Sequence, residues 1–171
     1  MKKTKTDFTS QLWADRKKYS GVQLMEIFFQ LNSPAVSKAK LNNIMNYAVN
    51  RNRCIKEDPS TILHFGQCMQ SFIRAGYLIA LKDRKWALSS APGPISPLVL
   101  GLLSEEEYKN PRLVFKKAFE EYRVKEFNYF MSGIIYFSLG IYDHVPERNI
   151  VNPYIHLIKM LDAAHLILER R

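Results

Sequence analysis

Histidines and carboxylates near the end of the chain are the side chains whose types could do chemistry. They are His144, His156, His165, Asp143, Glu147 and Asp162. Imidazole and carboxylate groups are common zinc ligands, and a spacing of three residues places Asp162 and His165 on one face of a helix. The HExxH spacing and the paired-histidine spacing of metalloenzymes do not occur in the sequence. We therefore expect ordinary hydrogen-bonded histidines and predict no metal site.

One potential nucleophile stands in a basic stretch of sequence. Cys54 is flanked by Arg51, Arg53 and Lys56, whose positive charges favour the thiolate form. Redox sensing is one interpretation of this pattern, and an incidental cysteine is the favoured one. Cys54 and Cys68 are too few for a disulfide scaffold, so we expect reduced thiols.

Signatures of enzymes are missing from the sequence. It contains no P-loop, no Rossmann glycine pattern and no GxSxG elbow. Arg148 and His156 do not form a pair on one helix, because seven residues that include Pro153 separate them. We predict a non-enzymatic protein that uses no cofactor.

Positive charge is concentrated in the first half of the chain. The protein has 171 residues and a formal net charge of +9. Residues 1–90 hold 15 Lys and Arg against six Asp and Glu, whereas residues 91–171 hold ten of each. A basic surface attracts polyanions, and the release of counterions from phosphates drives their binding. This asymmetry predicts double-stranded DNA as a partner.

Neither the N-terminal segment nor the longest apolar run indicates a membrane. Lysines near the N-terminus are not followed by the apolar stretch of a signal peptide. The longest apolar run covers residues 127–142 and includes Asn128, Ser132 and Ser138, whereas a membrane-spanning helix needs about 20 apolar residues. We expect a cytoplasmic protein with no membrane partner.

A proline-rich stretch divides the chain. The segment SSAPGPISPLVLG contains prolines 92, 94 and 97 and glycines 93 and 101, and closely spaced prolines end both helices and strands. The sequence predicts two domains, 1–91 and 92–171. The short, partly apolar connection indicates that they pack together.

Three helices are predicted in the first domain. Leu24, Ile27, Phe28 and Leu31 have helical spacing behind Ser20, which is a suitable N-cap. A second apolar pattern covers SKAKLNNIMNYAVNR, after a break at residues 32–34. A third helix is predicted over residues 59–75, since Asp58 followed by a proline is a typical helix start. A glycine at position 76 would end it.

Two runs of strand-forming residues follow the third helix. The segments YLIAL and KWALS are separated by KDR, which is typical of a β-hairpin. Three helices followed by a hairpin resemble the winged helix-turn-helix superfamily over about residues 18–90. The fold class that we expect is mainly α, with a β-hairpin wing and a C-terminal α-helical domain.

The resemblance implies a set of DNA-binding residues. In that family the third helix enters the major groove and the wing contacts the backbone. By position, contacts to phosphate are implied for Ser60 and Thr61, and contacts to base edges for His64, Gln67 and Ser71, with Arg74 beside them. Wing-tip cations would be Lys82, Arg84 and Lys85, and flanking phosphate contacts would come from Lys38 and Lys40.

The second domain is predicted to be helical, and it is rich in aromatic residues. Ser104 followed by three glutamates is a typical helix start, a longer helix is predicted after Pro111, and the last helix runs to the two C-terminal arginines. The aromatic residues between 127 and 142 offer more apolar area than a small helical domain can easily bury. We expect this area to be covered by self-association into a homodimer or by docking on the first half of the chain. A separate protein partner is a further alternative.

Two functions are compatible with these patterns. The first is a DNA-binding transcriptional regulator that uses the helix at 59–75 and the wing at 82–85. The second is a non-enzymatic protein-interaction or scaffold module whose winged helix does not read DNA, because a fold does not fix a function. An exposed, basic third helix would favour DNA, and a third helix covered by the second domain would favour the scaffold.

Overall fold

Seven helices form the part of the chain that the computed structural model describes, which comprises residues 19–50, 54–81, 101–141 and 149–171. The helices are α1 (Gly21–Leu31), α2 (Pro34–Val49), α3 (Pro59–Ala80), α4 (Glu105–Lys109), α5 (Arg112–Glu121), α6 (Val124–Ser138) and α7 (Val151–Glu169). These residues contain no β-strand. The mainly α class is therefore confirmed, and the winged helix with its β-hairpin is wrong.

Local capping signals explain why the helices begin where they do. Ser20 and Gln23 form a capping box at the start of α1. Ser33 caps α2, whose first residue is a proline, and the Asp58 side chain caps α3 in the same arrangement. A hydroxyl or carboxylate at the N-cap satisfies backbone N–H groups that have no partner within the helix. The predicted starts of α1 and α3 are confirmed, while α2 begins at Pro34, which we assigned to the break between the first two helices.

The predicted first wing strand is the end of α3. Residues 77–80 continue the helix, and Gly76 is buried inside it instead of ending it. Ile79 is completely buried and lies against Gly21 at the start of α1. The 3.6-residue spacing of buried side chains therefore continues through residue 79, and this packing overrides the strand propensity of the segment. The predicted second strand, residues 85–89, lies outside the described residues.

Helices from both sides of the expected domain junction share one hydrophobic core. The central helix α3 contacts α1, α5, α6 and α7. Completely buried side chains of this core include Phe28, Phe72, Phe115 and Phe127, which come from four different helices. The junction near residue 92 is itself outside the part of the chain that is described.

The single longer helix predicted after Pro111 is divided into α5 and α6, and α6 has a tight ending. Residues 122 and 123 separate α5 from α6, and Glu126 accepts a hydrogen bond from the Arg123 N–H at 2.7 Å. Gly140 follows α6 with φ of +70°, a conformation that favours glycine. A side chain at this position would also meet the Cys54 thiol. This ending positions the segment before α3, because the Ile55 N–H donates to the Ser138 carbonyl at 2.8 Å.

The length and hydropathy of the helices can be compared with what a membrane-spanning helix requires. Among the helices described here, none is long and apolar enough to cross a bilayer.

Candidate functional site

The residues predicted to read DNA lie along one stripe of α3. His64, Gln67 and Arg74 are exposed, and Ser71 is half-buried. The other sides of α3 are covered by α1 and by helices of the second half. Arg74 is the only cation within α3, so the exposed stripe is polar and nearly uncharged.

A carboxylate occupies the start of α3, where the resemblance places phosphate contacts. Ser60 and Thr61 are exposed. The Asp58 carboxylate accepts hydrogen bonds from the Ser60 hydroxyl at 2.7 Å and from the Ser60 N–H at 3.0 Å. The hydroxyl bond is the main reason that the pKa of Asp58 is lowered. A phosphate at this helix start would therefore meet a negative charge.

The flanking lysines are engaged with the folded body. Lys38 Nζ lies 2.6 Å from Oδ1 of Asp162 on α7, and Lys40 Nζ lies 5.7 Å from the centre of the Phe65 ring. Both contacts join α2 to neighbouring helices. The predicted wing cations Lys82, Arg84 and Lys85 lie outside the described residues.

The described part of the chain is almost electrically balanced. It contains 13 of the 25 Lys and Arg and 11 of the 16 Asp and Glu. The remaining 12 basic and five acidic residues account for most of the net charge of +9. The basic character predicted for the first half therefore does not belong to the surfaces of the seven helices.

An exposed face extends across α3 and α6. We call it the α3–α6 face and define it by Leu63, Gln67, Arg74 and Tyr77 on α3 and by Tyr129, Gly133 and Tyr136 on α6. Tyr129 is 72% exposed, Leu63 43%, Tyr77 38% and Tyr136 37%. Tyrosine and arginine are enriched at the centres of protein interfaces, where most other charged residues are depleted.

Two contacts fix how α3 and α6 lie side by side. A Cβ built on Gly66 would meet the Ile135 side chain, and the Gln70 amide lies 3.5 Å from the Ser132 hydroxyl. Residue numbers rise along α3 while they fall along α6, so the helices are antiparallel. The exposed positions of α6 therefore lie next to the exposed stripe of α3, and the two form one continuous surface.

A charged cleft of about 540 Å³ lies between α4, α5 and α7. Glu107 lies at the base of the cleft and is only 4% exposed. Its carboxylate accepts hydrogen bonds from Lys159 at 2.9 Å and from Lys117 at 3.3 Å. Burial opposes ionisation, but bonds from the Ser104 N–H and the two lysines outweigh it and hold the pKa of Glu107 below its ordinary value of 4.5. The cluster joins three helices through one carboxylate.

The rest of the cleft is lined by a second acid–base pair. His156 Nε2 lies 2.8 Å from a carboxylate oxygen of Glu121, and this bond is the main reason that the pKa of Glu121 is lowered. The His156 ring also packs edge-on against Phe127 and Tyr122. Each charged group that lines the cleft already has a protein partner. These pairs therefore attach α7 to α4 and α5.

The Glu107 cluster gives a prediction about stability and pH. We expect Glu107→Gln to lower the free energy of unfolding at pH 7 by about 1–3 kcal/mol, because it leaves Lys159 without its charged partner. A folded-state pKa below the unfolded value stabilises the protein above the unfolded pKa, and this stabilisation is lost as the pH falls through the folded pKa. The deficit of the variant should therefore shrink as the pH falls from 7 to 3.

Urea denaturation at a series of pH values checks this. Glu105→Gln is the matched control, since Glu105 is 73% exposed and its contact with Lys109 is 3.9 Å long. Such an exposed pair contributes about 0–1 kcal/mol. Equal losses in both variants, or a Glu107→Gln deficit that grows at low pH, would contradict the role assigned to Glu107.

The histidines and carboxylates considered for a metal are dispersed. His165 lies 3.2 Å from Glu169 on its own helix, and Asp162 is bound to Lys38. Groups of three or more potential metal ligands do not occur among the residues that are described. His144, Asp143 and Glu147 lie outside them.

Sequence patterns gave only part of these sites. The SxxE spacing of Ser104 and Glu107 is a readable capping signal, and the capping box is present. The role of Glu107 as the acceptor for Lys159 was missed, because the partner is 52 residues away. An excess of aromatic area was predicted for residues 127–142, but the sequence did not single out Tyr129 as the ring that is 72% exposed, since the neighbouring residues of α6 are strongly apolar.

No protein-family model, curated protein or solved structure matches the chain. The function is therefore argued from the chemistry of the surfaces.

Proposed function

We propose that this protein is a non-enzymatic interaction module that binds a protein partner through the α3–α6 face. The observation that carries the proposal is the 72% exposure of Tyr129 on a helix whose opposite side is in the core. A tyrosine buries about 150–250 Å² when it is covered. Leaving such a ring in water forgoes this burial, and a partner would provide it.

The composition of the surrounding surface supports a protein partner. The face consists of three tyrosines, one leucine, one glycine, one glutamine and one arginine, and Leu63 and Tyr77 are its exposed apolar members on α3. Fixed helices present these groups, so little conformational freedom is lost on binding. The polar groups at the edges of the face are suited to the wetter rim of an interface.

We place the module in the cytoplasm as part of this proposal. Neither Cys54 nor Cys68 forms a disulfide, and thiols are the usual state in a reducing compartment.

Photo-crosslinking in host cells tests the proposal. Replacement of Tyr129 by benzoylphenylalanine in the full chain keeps an aromatic side chain and adds a reactive group. We expect protein adducts at this position, because the ring lies within a binding face. The matched control carries the same group at Lys116, which is 67% exposed on α5. Absence of adducts at 129, or equal yields at both positions, would contradict the proposal.

Nucleic-acid binding is the second candidate, and a specific observation favours it. The segments 1–18 and 82–100 together hold nine Lys and Arg and three Asp and Glu. The described residues that follow the first segment and precede the second lie close together, because Gly21 at the start of α1 is against Ile79 near the end of α3. Binding of a labelled random duplex with a steep dependence on salt, unaffected by Tyr129→Ala, would move the assignment to nucleic acid.

A further inference from the structure

We propose that the partner at the α3–α6 face is a second copy of this chain, with the two α6 helices crossing antiparallel at Ser132 and Gly133. This inference rests on the proposed function and identifies the partner.

The spacing of the exposed tyrosines is self-complementary. Tyr129 and Tyr136 are seven residues apart, which is about two helical turns and places them on one side of α6. Their midpoint falls between Ser132 and Gly133. A twofold axis through this midpoint brings Tyr129 of each copy opposite Tyr136 of the second. This is the reciprocal pattern of contacts that a twofold interface requires.

Gly133 has a role in this crossing that the single chain does not explain. A Cβ built on it meets no atom of the described residues within 4 Å, whereas one built on Gly21 or Gly76 meets neighbouring helices. A glycine inside a helix costs roughly 0.5–1 kcal/mol relative to alanine. At the proposed crossing point, the missing side chain allows the backbone of the second α6 to approach closely, with a tyrosine on each side.

Charge favours the antiparallel orientation. Arg123, Lys125 and Glu126 are exposed at the beginning of α6 and have a net charge of +1, and the last turn of α6 contains no basic residue. In the antiparallel pair these cations lie near the C-terminal end of the other α6, where the helix dipole is negative. A parallel pair would place the same cations of the two copies side by side.

The size of the face sets the expected strength of the dimer. Two packed helices, of which α6 has 15 residues, present a surface of roughly 20 by 22 Å. This area of roughly 440 Å² is below the roughly 600 Å² that each partner buries at the lower end of stable specific interfaces, and it is typical of a weak, transient complex. We therefore expect a dimer that dissociates on dilution into the micromolar range.

Sedimentation of the full chain from about 1 to 200 μM tests the inference. The average mass should rise from 19.9 kDa toward twice that value. Gly133→Leu should raise the apparent dissociation constant of the dimer at least tenfold, because the leucine side chain occupies the crossing. The midpoint temperature of thermal unfolding of this variant at 1 μM should be unchanged or higher, since leucine is a better helix former than glycine. Val151→Glu, which removes an apolar side chain that is 52% exposed, is the control and should dimerise normally.

A disulfide trap tests the crossing point itself. In a Cys54→Ser background, Gly133→Cys should form a linked dimer on mild oxidation, because the two Cβ atoms come within bonding range near the axis. Gln30→Cys, at an exposed position of α1, should not. A mass that stays monomeric at every concentration, or equal linking at both positions, would overturn the homodimer.

The crosslinking at Tyr129 separates the two proposals. Adducts of two copies of this chain support both. Adducts with other proteins alone overturn the homodimer and leave the interaction module in place. The absence of adducts overturns both.

Discussion

Phe72→Ala is expected to lower the free energy of unfolding by about 3–5 kcal/mol, the usual cost of truncating a fully buried phenylalanine. Phe72 is completely buried where α1 crosses α3. Its ring centre lies 4.9 Å from that of Phe28 and 6.1 Å from that of Phe29. Truncation removes these contacts and leaves a cavity between the two helices. Guanidinium denaturation followed by circular dichroism measures the loss.

The control for this variant lies on the same helix. Leu63→Ala truncates a side chain that is 43% exposed, and we expect a change within about 0.5 kcal/mol. Comparable losses in the two variants would mean that α3 does not present opposite faces to core and solvent, and would remove the basis for the α3–α6 face.

Gly21→Ala is expected to lower the free energy of unfolding by about 1–3 kcal/mol, as overpacking typically does. A Cβ at this position would lie 2.6 Å from the Ala75 carbonyl oxygen and 3.2 Å from the Ile79 N atom. These are backbone atoms of α3, so one of the helices must move to relieve the clash. Thermal and chemical denaturation at about 1 μM give the effect without a contribution from self-association.

Gly133→Ala is the same substitution at a position without a clash, and it should raise the free energy of unfolding instead of lowering it. Within the described part of the chain, the added methyl group meets no atom within 4 Å, and alanine is more favourable than glycine in a helix by up to about 1 kcal/mol. If both substitutions stabilised the protein, the close contact between α1 and the end of α3 would be wrong.

The contact between α1 and the end of α3, which Gly21→Ala tests, also bears on the DNA-binding hypothesis. It requires residues 77–80 to be helical, which excludes the first strand of the predicted wing. A reading helix without a wing retains an exposed stripe, but Arg74 is its only cation. On the described surfaces, the exposed aromatic rings therefore distinguish a functional face better than charge does.

Helix starts could be predicted from the sequence because the signals are local. Ser20 with Gln23, Asp58 with a following proline, and Ser104 with Glu107 each act within three residues, so a cap forms from neighbours along the chain. The mainly helical class follows from the same signals and from the 3.6-residue spacing of apolar side chains. The net charge and its bias toward the first half are likewise properties of the sequence alone.

Tertiary packing decided the remaining features. YLIAL has the composition of a strand, and its helical state depends on burial of Ile79 against a helix that begins 58 residues earlier in the chain. Lys38 was a candidate for phosphate binding until the fold placed Asp162 beside it, 124 residues away. The α3–α6 face exists only because two helices distant in sequence pack antiparallel. Local sequence sets which residues a helix contains, whereas its neighbours determine which of its sides reach solvent.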